Sequence, residues 1–489
     1  MLMCMARSLM IIGTASHVGK SVMVTALCRV LRDRGVRVAP FKSQNIALNS
    51  FVCWNGAEIG RAQVVQAEAA RLEPESDMNP ILLKPSGGGK VQVVLNGSVY
   101  GTMTGDEYAA QRSFFFEQAL EAYQRLASRF NAIILEGAGS AAEVNLRDRD
   151  IVNLEFARAI GAPTALVADI DRGGVFASIV GTFDLLQPAE AEIVRGFIIN
   201  RFRGAPALFE DGVDFLEQRT GRQCLGVLPY LDALGIDQED GVSLEERSDT
   251  PAEFRVGVIH LPHISNYTDF NPLEHFEGLG VEYLKTPRGP SPHLLIIPGS
   301  KNTIRDLEWI RKTGFERFIR DALGSGSVVL GICGGHQMLG IRISDPVEVE
   351  GGGAIEGLGL LDVETEMVPE KTTQRTGGAS FLGPFIEGYE IHRGHTRVRG
   401  EGTPFCLKAD GSSDGRVSGN VCGTYCHGVF EGDDFALEFL AMVAGKHRLN
   451  WRPGGSSFSK NAAYDRLAEA VRRHLDVDAL VNHTGLMMT

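Results

Sequence analysis

Short, uninterrupted hydrophobic runs alternate with amphipathic segments along the first half of the chain. The runs predict buried strands at residues 9–12, 36–41, 132–135, 164–168, 196–199 and 224–228. Between the first two runs, Met23, Leu27, Val30 and Leu31 follow the helical period, and Gly35 stands where a left-handed C-terminal cap is expected. This strand–helix–strand order predicts a mainly parallel sheet with helices on both faces.

A second α/β pattern begins at residue 254. It predicts strands at residues 255–260, 293–298 and 328–332, a helix at 301–323 and a last helix at 462–475. The acidic, glycine-bearing stretch 232–249 follows neither period, and the stretch 451–459 interrupts the pattern again. We therefore expect one α/β domain at residues 1–235, a linker at 236–253, a second α/β domain at 254–450 and a C-terminal helical segment at 451–489.

Composition and charge argue against several classes of protein. The chain has 489 residues, of which 44% are hydrophobic and 22% charged, as expected of a folded protein with several cores. Its net charge of −13 argues against nucleic acid as a partner. The sparse, irregular cysteines indicate a reducing cytoplasm, and the spacing of Cys422 and Cys426 lacks the second ligand pair of a zinc site. No apolar run is long enough to predict a membrane span.

The first strand runs directly into a glycine-bearing loop that ends in Gly19, Lys20 and Ser21 at the start of the first helix. This context is typical of a phosphate-binding loop, in which backbone N–H groups hold phosphates, the lysine neutralises them and the hydroxyl binds Mg²⁺. The common pattern has glycine where this chain has Thr14, and here the glycine comes one residue earlier, at Gly13. The alternative is an ordinary glycine turn.

Two further strand ends carry side chains suited to a nucleotide site. Glu136 follows the run at 132–135 and is the predicted second Mg²⁺ ligand, the alternative being a solvated glutamate in a turn. Asn200 follows the run at 196–199, where related folds place an asparagine against adenine. The sequence thus predicts binding of ATP with Mg²⁺.

A cysteine between glycines marks a second reactive site. Gly331, Cys333 and Gly335 form a Gly-x-Cys-x-Gly elbow after a hydrophobic strand, which exposes a nucleophile on a sharp turn. The helix N-terminus there favours both a thiolate and an oxyanion, although an inert buried cysteine is the alternative. His427 is the predicted proton acceptor, while His336 is expected to be structural.

These features together resemble the cobyric acid synthase family, the glutamine-dependent amidotransferases of cobalamin biosynthesis. The resemblance covers nearly the whole chain and rests on residues 13–21, 40–45, 49–50, 60–63, 78–85, 136–140, 145–150, 169–174, 298–303, 331–337 and 388–392. It implies a phosphate-loop NTPase-like domain similar to dethiobiotin synthetase, joined to a class I glutamine amidotransferase-like α/β domain. Class I enzymes carry a glutamate two residues after the histidine, where this chain has Val429, so the resemblance leaves open whether Glu431 orients His427.

The resemblance also implies a reaction. Family members amidate the b, d, e and g carboxylates of (adenosyl)cobyrinic acid a,c-diamide to give cobyric acid, using ATP and glutamine for each amide. A carboxylate must first be activated, as an acyl phosphate, before ammonia from a Cys/His glutaminase can attack it. Polar residues at the neighbouring strand ends are expected to face the corrin, with ordinary loop residues as the alternative for each: Lys42, Gln44, Asn45, Asp148 and Asp150.

Two other functions remain open at this point. One is a glutamine-dependent synthetase for another polycarboxylate, such as a cell-wall lipid precursor. The other is a phosphate-loop switch or partner-binding ATPase with an inert glutaminase-like half, against which the intact elbow around Cys333 argues. The oligomeric state, the order of amidations, the upper cobalt ligand and the ammonia route are not predicted.

Overall fold

A computed structural model describes residues 6–231, 235–237, 252–452 and 458–484. The predicted linker at 236–253 therefore lies mostly outside the described residues, as do residues 453–457 of the predicted interruption at 451–459. The division of the chain into domains at these boundaries stays a prediction.

The first half is built on a six-stranded parallel sheet. Its strands and helices, with those of two smaller sheets, are β1 (Arg7–Gly13), α1 (Lys20–Asp33), β2 (Val38–Phe41), β3 (Gln44–Ile46), β4 (Ser50–Val52), β5 (Glu58–Gly60), α2 (Arg61–Ala69), β6 (Ile81–Gly87), β7 (Lys90–Leu95), β8 (Ser98–Thr104), α3 (Gly105–Ala110), α4 (Arg112–Ala127), β9 (Ala132–Glu136), α5 (Leu154–Ala159), β10 (Thr164–Asp169), α6 (Val175–Leu185), α7 (Pro188–Ile193), β11 (Val194–Phe202), α8 (Glu210–Thr220) and β12 (Gln223–Pro229). The large sheet has the order β12-β11-β10-β1-β9-β2, and every pairing in it is parallel. The six hydrophobic runs are its strands, so the predicted fold class is confirmed.

Two smaller sheets interrupt this pattern between β2 and β9. One has the order β3-β6-β7-β8, and the other is the antiparallel pair β4-β5. Hydrophobic periodicity did not predict them, because their strands are short or carry exposed polar residues on one face. They matter because β4, which begins at Ser50, contacts the second half of the chain.

The second half is another α/β unit. Its elements are β13 (Phe254–Ile259), β14 (Ile264–Ser265), β15 (Leu279–Leu284), β16 (Leu294–Ile297), β17 (Gly299–Ser300), α9 (Thr303–Thr313), α10 (Phe315–Gly324), β18 (Val328–Ile332), α11 (Gly334–Leu339), β19 (Arg342–Asp345), β20 (Gly353–Glu356), β21 (Val363–Ser380), β22 (Phe385–Val398), β23 (Cys406–Lys408), β24 (Ser413–Asp414), β25 (Arg416–Ser418), β26 (Val421–Thr424) and α12 (Asp433–Lys446). The main sheet has the order β15-β13-β16-β18-β26-β25, parallel except for β25. A long antiparallel hairpin of β21 and β22 contacts β4 of the first half.

The helix predicted at 301–323 is two helices. Gly314 takes φ 89°, a left-handed conformation in which the helix cannot continue, so α9 ends and α10 begins there. The hydrophobic period is the same on both sides of the break, which is why the pattern predicted one helix.

The C-terminal helices return to the first half of the chain. They are α13 (Lys460–His474) and α14 (Val477–Thr484), and Leu467, Val471 and Leu480 pack in one core cluster with residues of α1 such as Leu27. Arg29, which is fully buried, pairs with Asp465 at 2.6 Å. The last segment thus completes the first core. None of the helices described is long and apolar enough to cross a membrane.

Candidate active sites

The phosphate loop lies between β1 and α1, at the carboxyl edge of the first sheet. A Cβ on Gly13 would lie 2.7 Å from Val18 Cγ2 and 3.0 Å from Lys20 Nζ. The loop therefore leaves no room for a side chain at Gly13, the residue before Thr14. Gly19 has φ 101°, and a Cβ there would collide with the amide of Asn200. This loop conformation therefore requires glycine at Gly13, one residue before the position where the common pattern has it.

Lys20 links the phosphate loop to the segment that follows β9. Its Nζ donates to the carbonyl oxygens of Ala15 at 2.9 Å and Gly139 at 2.8 Å. Both acceptors are neutral carbonyls, and a lysine ammonium brings a positive charge to the mouth of the loop. This charge is suited to the outer oxygens of a bound triphosphate.

Glu136 is the point on which several polar side chains converge. Its Oε1 accepts hydrogen bonds from Ser21 and Lys42, each at 2.9 Å, and its Oε2 accepts one from Gln66 at 2.5 Å. Burial alone would raise the pKa of Glu136, but the charge of Lys42 and these hydrogen bonds hold it below the ordinary value. Glu136 is therefore a carboxylate at neutral pH, although it is only 2% exposed.

The predicted Mg²⁺ ligands fit that ion. Ser21 Oγ and Glu136 Oε1 lie 2.9 Å apart and present oxygen donors, the kind that Mg²⁺ takes together with phosphate oxygens and waters. No cluster of three or more His, Cys, Asp or Glu side chains suited to a metal occurs among the residues described. The site thus suits a cation that arrives with a nucleotide, whereas a cage built from protein ligands alone is absent from the described part.

Asn200 lies beside the loop and is 5% exposed. Its Nδ2 donates to the carbonyl oxygen of Val18 at 2.9 Å. The side chain thus holds the backbone of the phosphate loop, and its contact with adenine stays a prediction.

The predicted corrin-facing residues divide into two groups. Lys42 and Asn45 are both buried: Lys42 pairs with Glu136, and Asn45 donates to Gln63 at 3.1 Å. Gln44, at the start of β3, is half-buried and accepts a hydrogen bond from Tyr108.

The other two lie in and directly after a short 3-10 helix over Val144–Arg149, which follows β9. Asp148 is exposed, whereas Asp150 accepts hydrogen bonds from the backbone of Val152 and Asn153 at 2.9 and 3.1 Å. Burial raises the pKa of Asp150. Asp150 therefore shapes this turn, and Asp148 alone of the pair is open to a ligand.

Cys333 forms the elbow between β18 and α11. Its backbone has φ 52° and ψ −107°, a strained conformation that a cysteine adopts only where the surroundings enforce it. A Cβ on Gly335 would collide with the carbonyl oxygen of Ile297, and one on Gly331 would lie 2.5 Å from Leu339 Cδ1. The flanking glycines are therefore required by close packing of the elbow on β16 and α11.

His427 meets Cys333 because β18 and β26 are parallel neighbours and each residue follows the end of its strand. The Nδ1 of His427 lies 2.6 Å from Asp269 Oδ2, and the N–H of Gly428 donates to Asp269 Oδ1 at 3.1 Å. Burial alone would lower the pKa of His427, but Asp269 and then Cys333 raise it to about 10. The geometry is that of a nucleophile, a base and an orienting carboxylate.

Asp269 was not predicted, and it answers the question that the resemblance left open. It lies on a 3-10 helix over Tyr267–His275, far from Cys333 and His427 in sequence and without a local motif. Glu431 pairs instead with Arg61 at 2.8 Å and with Lys460 at 3.2 Å. His336 is buried with its pKa lowered to about 4, as expected of a structural histidine.

The first half of the chain contacts the element that carries Asp269. The backbone N–H of Tyr267 donates to Asn49 Oδ1 at 3.0 Å, and the amide of Asn266 donates to the Ser50 carbonyl oxygen at 3.1 Å. Tyr389 of β22 stacks on His427, with ring centroids 5.4 Å apart, and also packs against Phe51. The thiol site is therefore supported from both halves.

One chain thus combines a phosphate loop suited to a nucleotide with a buried cysteine, histidine and aspartate in the arrangement of a thiol nucleophile and its base. This combination defines a glutamine-dependent amidotransferase.

Comparisons with known proteins narrow the class to a family. Residues 9–244 match the model of the CobQ/CobB/MinD/ParA nucleotide binding domain, and residues 255–435 match that of the CobB/CobQ-like glutamine amidotransferase domain. A cobyric acid synthase of Syntrophobacter fumaroxidans is 43% identical, with 98% of this chain and 99% of that protein covered. One of Pelotomaculum thermopropionicum is 46% identical, with 99% and 97% covered. The chain belongs to the cobyric acid synthase family and is a carbon–nitrogen ligase with glutamine as the amide donor.

Proposed function

We propose that the protein converts (adenosyl)cobyrinic acid a,c-diamide into cobyric acid by amidating the b, d, e and g carboxylates with ATP and glutamine. The observation that carries the proposal is the buried arrangement of Cys333, His427 and Asp269 in the same chain as the loop of Lys20 and Ser21. The family of the relatives supports the identity of the substrate.

The thiol site releases ammonia. Asp269 orients the His427 ring and stabilises its protonated form, so His427 holds the proton of the Cys333 thiol as an imidazolium and the thiolate attacks the side-chain amide of glutamine. The imidazolium then protonates the departing ammonia, which leaves a thioester on Cys333. Water hydrolyses the thioester to glutamate and restores the thiol.

The nucleotide site activates the acceptor. A corrin carboxylate attacks the γ-phosphorus of ATP, which gives an acyl phosphate and ADP, and ammonia then displaces phosphate to form the amide. Lys20 and the N–H groups of the loop stabilise the charge on the phosphates. Ser21 and Glu136 would hold Mg²⁺, which supplies further charge neutralisation there.

The same nucleotide site serves each carboxylate in turn, because the sequence shows one phosphate loop, one elbow cysteine and no internal repeat. A rigid corrin turns in a close-fitting pocket only if the site opens widely, so we expect partly amidated corrins to leave and rebind. Free tri-, tetra- and pentaamides should then appear early in a time course at limiting enzyme. A time course with only diamide and hexaamide in solution would contradict this scheme.

The experiment is an incubation of the purified protein with ATP, Mg²⁺, glutamine and cobyrinic acid a,c-diamide, followed by mass spectrometry. The expected product has each remaining carboxylate converted to an amide, with one ADP and one glutamate formed per amide. A corrinoid that stays unchanged while another polycarboxylate, such as a cell-wall lipid precursor, is amidated would replace the proposed substrate. Absence of any glutamine hydrolysis would favour the ATPase with an inert second half.

A further inference from the structure

An aromatic side chain covers one face of the His427 ring. Tyr389 of β22 stacks on this ring, with the two centroids 5.4 Å apart and the ring planes inclined by 21°. Both residues are 1% exposed. Asp269 and Cys333 form hydrogen bonds at the edge of the imidazole, so its face toward Tyr389 meets a second ring instead of a hydrogen-bond partner.

The backbone holds the two stacked residues together independently of the tyrosine side chain. The N–H of His427 donates to the carbonyl oxygen of Tyr389 at 2.8 Å, and the N–H of Tyr389 donates to the carbonyl oxygen of His427 at 3.2 Å. A Cβ on the neighbouring Gly388 would lie 2.1 Å from the carbonyl oxygen of His427, so the two segments approach closely. A substitution of Tyr389 therefore changes what the imidazole faces and leaves these backbone bonds in place.

The hydroxyl of Tyr389 is held from the first half of the chain through Asn266. The Nδ2 of Asn266 donates to this hydroxyl at 3.2 Å and to the Ser50 carbonyl oxygen at 3.1 Å, while the Ser50 N–H donates to Asn266 Oδ1 at 3.3 Å. Asn266 is 3% exposed and has φ 52°, a left-handed conformation that asparagine adopts more readily than most residues. Phe51, next to Ser50, packs edge-on against the Tyr389 ring. The position of this ring therefore depends on β4.

The proposed reaction requires His427 to carry a positive charge in a buried site. Burial alone would lower the pKa of His427 and so oppose the charged form. The face of an aromatic ring attracts a cation within about 6 Å of its centroid, and more strongly where water is excluded. We infer that the ring of Tyr389 stabilises the imidazolium of His427 and that Asn266, held by the first half of the chain, positions this ring. The inference rests on the proposed function of His427 and makes Tyr389 and Asn266 positioning residues of the thiol site.

Other charges around His427 must stay constant if the contribution of the ring is to be measured. Asp269 and the thiol of Cys333 act at the edge of the imidazole. Further titratable side chains line the same cavity: Lys84, Lys301, Glu350, Lys371, His392 and Arg393. The charges of Arg61 and Glu431 act on the hydroxyl of Tyr389. The variants proposed below change none of these groups, so a shift in the pH–rate profile reports on the stacked ring.

A change in the electrons of the ring at constant shape tests the first part of the inference. In the full-length protein, Tyr389→Phe is compared with pentafluorophenylalanine at position 389, whose ring face repels a cation. The alkaline limb of the pH–rate profile of glutamine hydrolysis should stay near that of the wild type in Tyr389→Phe. It should move about one pH unit lower with the fluorinated ring, because the pKa of His427 falls. Equal limbs in the two variants would overturn the inference.

The hydrogen bond between Asn266 and Tyr389 tests the second part. Asn266→Gly keeps the left-handed backbone and removes the side-chain donor, and Tyr389→Phe removes the acceptor of the same bond. We expect each variant to lower kcat for glutamine hydrolysis by about threefold to tenfold. The double variant should be no slower than Asn266→Gly alone, because both changes break one connection. Losses that multiply in the double variant would contradict the positioning role of Asn266.

Tyr123→Phe and Asn96→Gly are the matched controls. Tyr123 is a buried tyrosine whose hydroxyl bonds to Ser8, and Asn96 has φ 49° in the turn between β7 and β8. Both controls should leave glutamine hydrolysis unchanged. Amidation with ammonium salts bypasses the thiol and should be unchanged in every variant, which verifies folding. Failure of the inference is distinct from failure of the proposed function, which would appear as glutamine hydrolysis by Cys333→Ser.

Discussion

The phosphate site and the thiol site are assembled in different ways. Most of the phosphate site is one continuous segment, residues 13–21, to which the next strand end adds Glu136. The thiol site joins Cys333, His427 and Asp269 from three separate elements, with Asp269 and His427 158 residues apart. It also depends on Asn49 and Ser50 of the other half for the position of the helix that carries Asp269. The phosphate site is thus built mostly from local backbone geometry, whereas the thiol site is assembled through tertiary contacts that include the other half of the chain.

The largest effect should come from the nucleophile. Cys333→Ser should lower glutamine-dependent amidation by about a thousandfold or more, because the hydroxyl of serine is a far poorer nucleophile than the thiolate. Amidation with ammonium salts should continue, since only the nitrogen source passes through the thiol. The comparison of the two nitrogen sources in one assay is the measurement, and retained use of glutamine would remove Cys333 from the mechanism.

Loss of the phosphate lysine should affect both nitrogen sources equally. Lys20→Ala should lower amidation with glutamine and with ammonium by about a hundredfold to a thousandfold, because the charge on the transferred phosphoryl group loses its stabilisation. Glutamine hydrolysis should persist, since its chemistry lies in the other half. A Lys20→Ala protein that amidates at the normal rate with ammonium would show that the two sites are not divided in this way.

A smaller effect is expected from the orienting carboxylate. Asp269→Asn should lower glutamine hydrolysis by about a hundredfold. In the wild type, the imidazolium of His427 persists until the pH approaches its pKa of about 10. Without the negative charge of Asp269, burial lowers that pKa, so the alkaline limb of the pH–rate profile should move to lower pH.

The matched control is Glu431→Gln. Glu431 is the carboxylate that the sequence analysis left as a candidate for orienting His427. Glu431 pairs with Arg61 and Lys460, and these charges lower its pKa to about 2 against the effect of burial. We expect the free energy of unfolding to fall by on the order of 1 kcal/mol and the pH–rate profile of glutamine hydrolysis to stay unchanged. A shifted profile in Glu431→Gln and an unshifted one in Asp269→Asn would reverse the assignment.

The contrast between the two sites also explains which of their residues could be predicted from the sequence. Gly13, Lys20 and Ser21 are neighbours in sequence, and glycines flank Cys333, so backbone requirements make both motifs visible in the sequence alone. The hydrophobic runs predicted the strands of the first sheet, because strands buried on both faces leave a continuous apolar signal.

Asp269 and the short strands β3 to β5 left no comparable signal. Asp269 acts through tertiary contacts, and its 3-10 helix carries Pro272 and no regular period. Gly314 shows the same limit on a smaller scale, since it ends α9 within an unbroken hydrophobic pattern. The return of α13 and α14 to the first core likewise depends on packing that no local pattern encodes.

The central claim is that one site supplies ammonia to a carboxylate that the other site has phosphorylated. A double-label measurement tests it directly: the protein is incubated with ATP, glutamine labelled with ¹⁵N in the amide, and corrin substrate labelled with ¹⁸O in its free carboxylates. We predict that every new amide carries ¹⁵N and that each phosphate released carries one ¹⁸O from the carboxylate. Phosphate without ¹⁸O, or amides without ¹⁵N when glutamine is the only nitrogen source, would contradict the account.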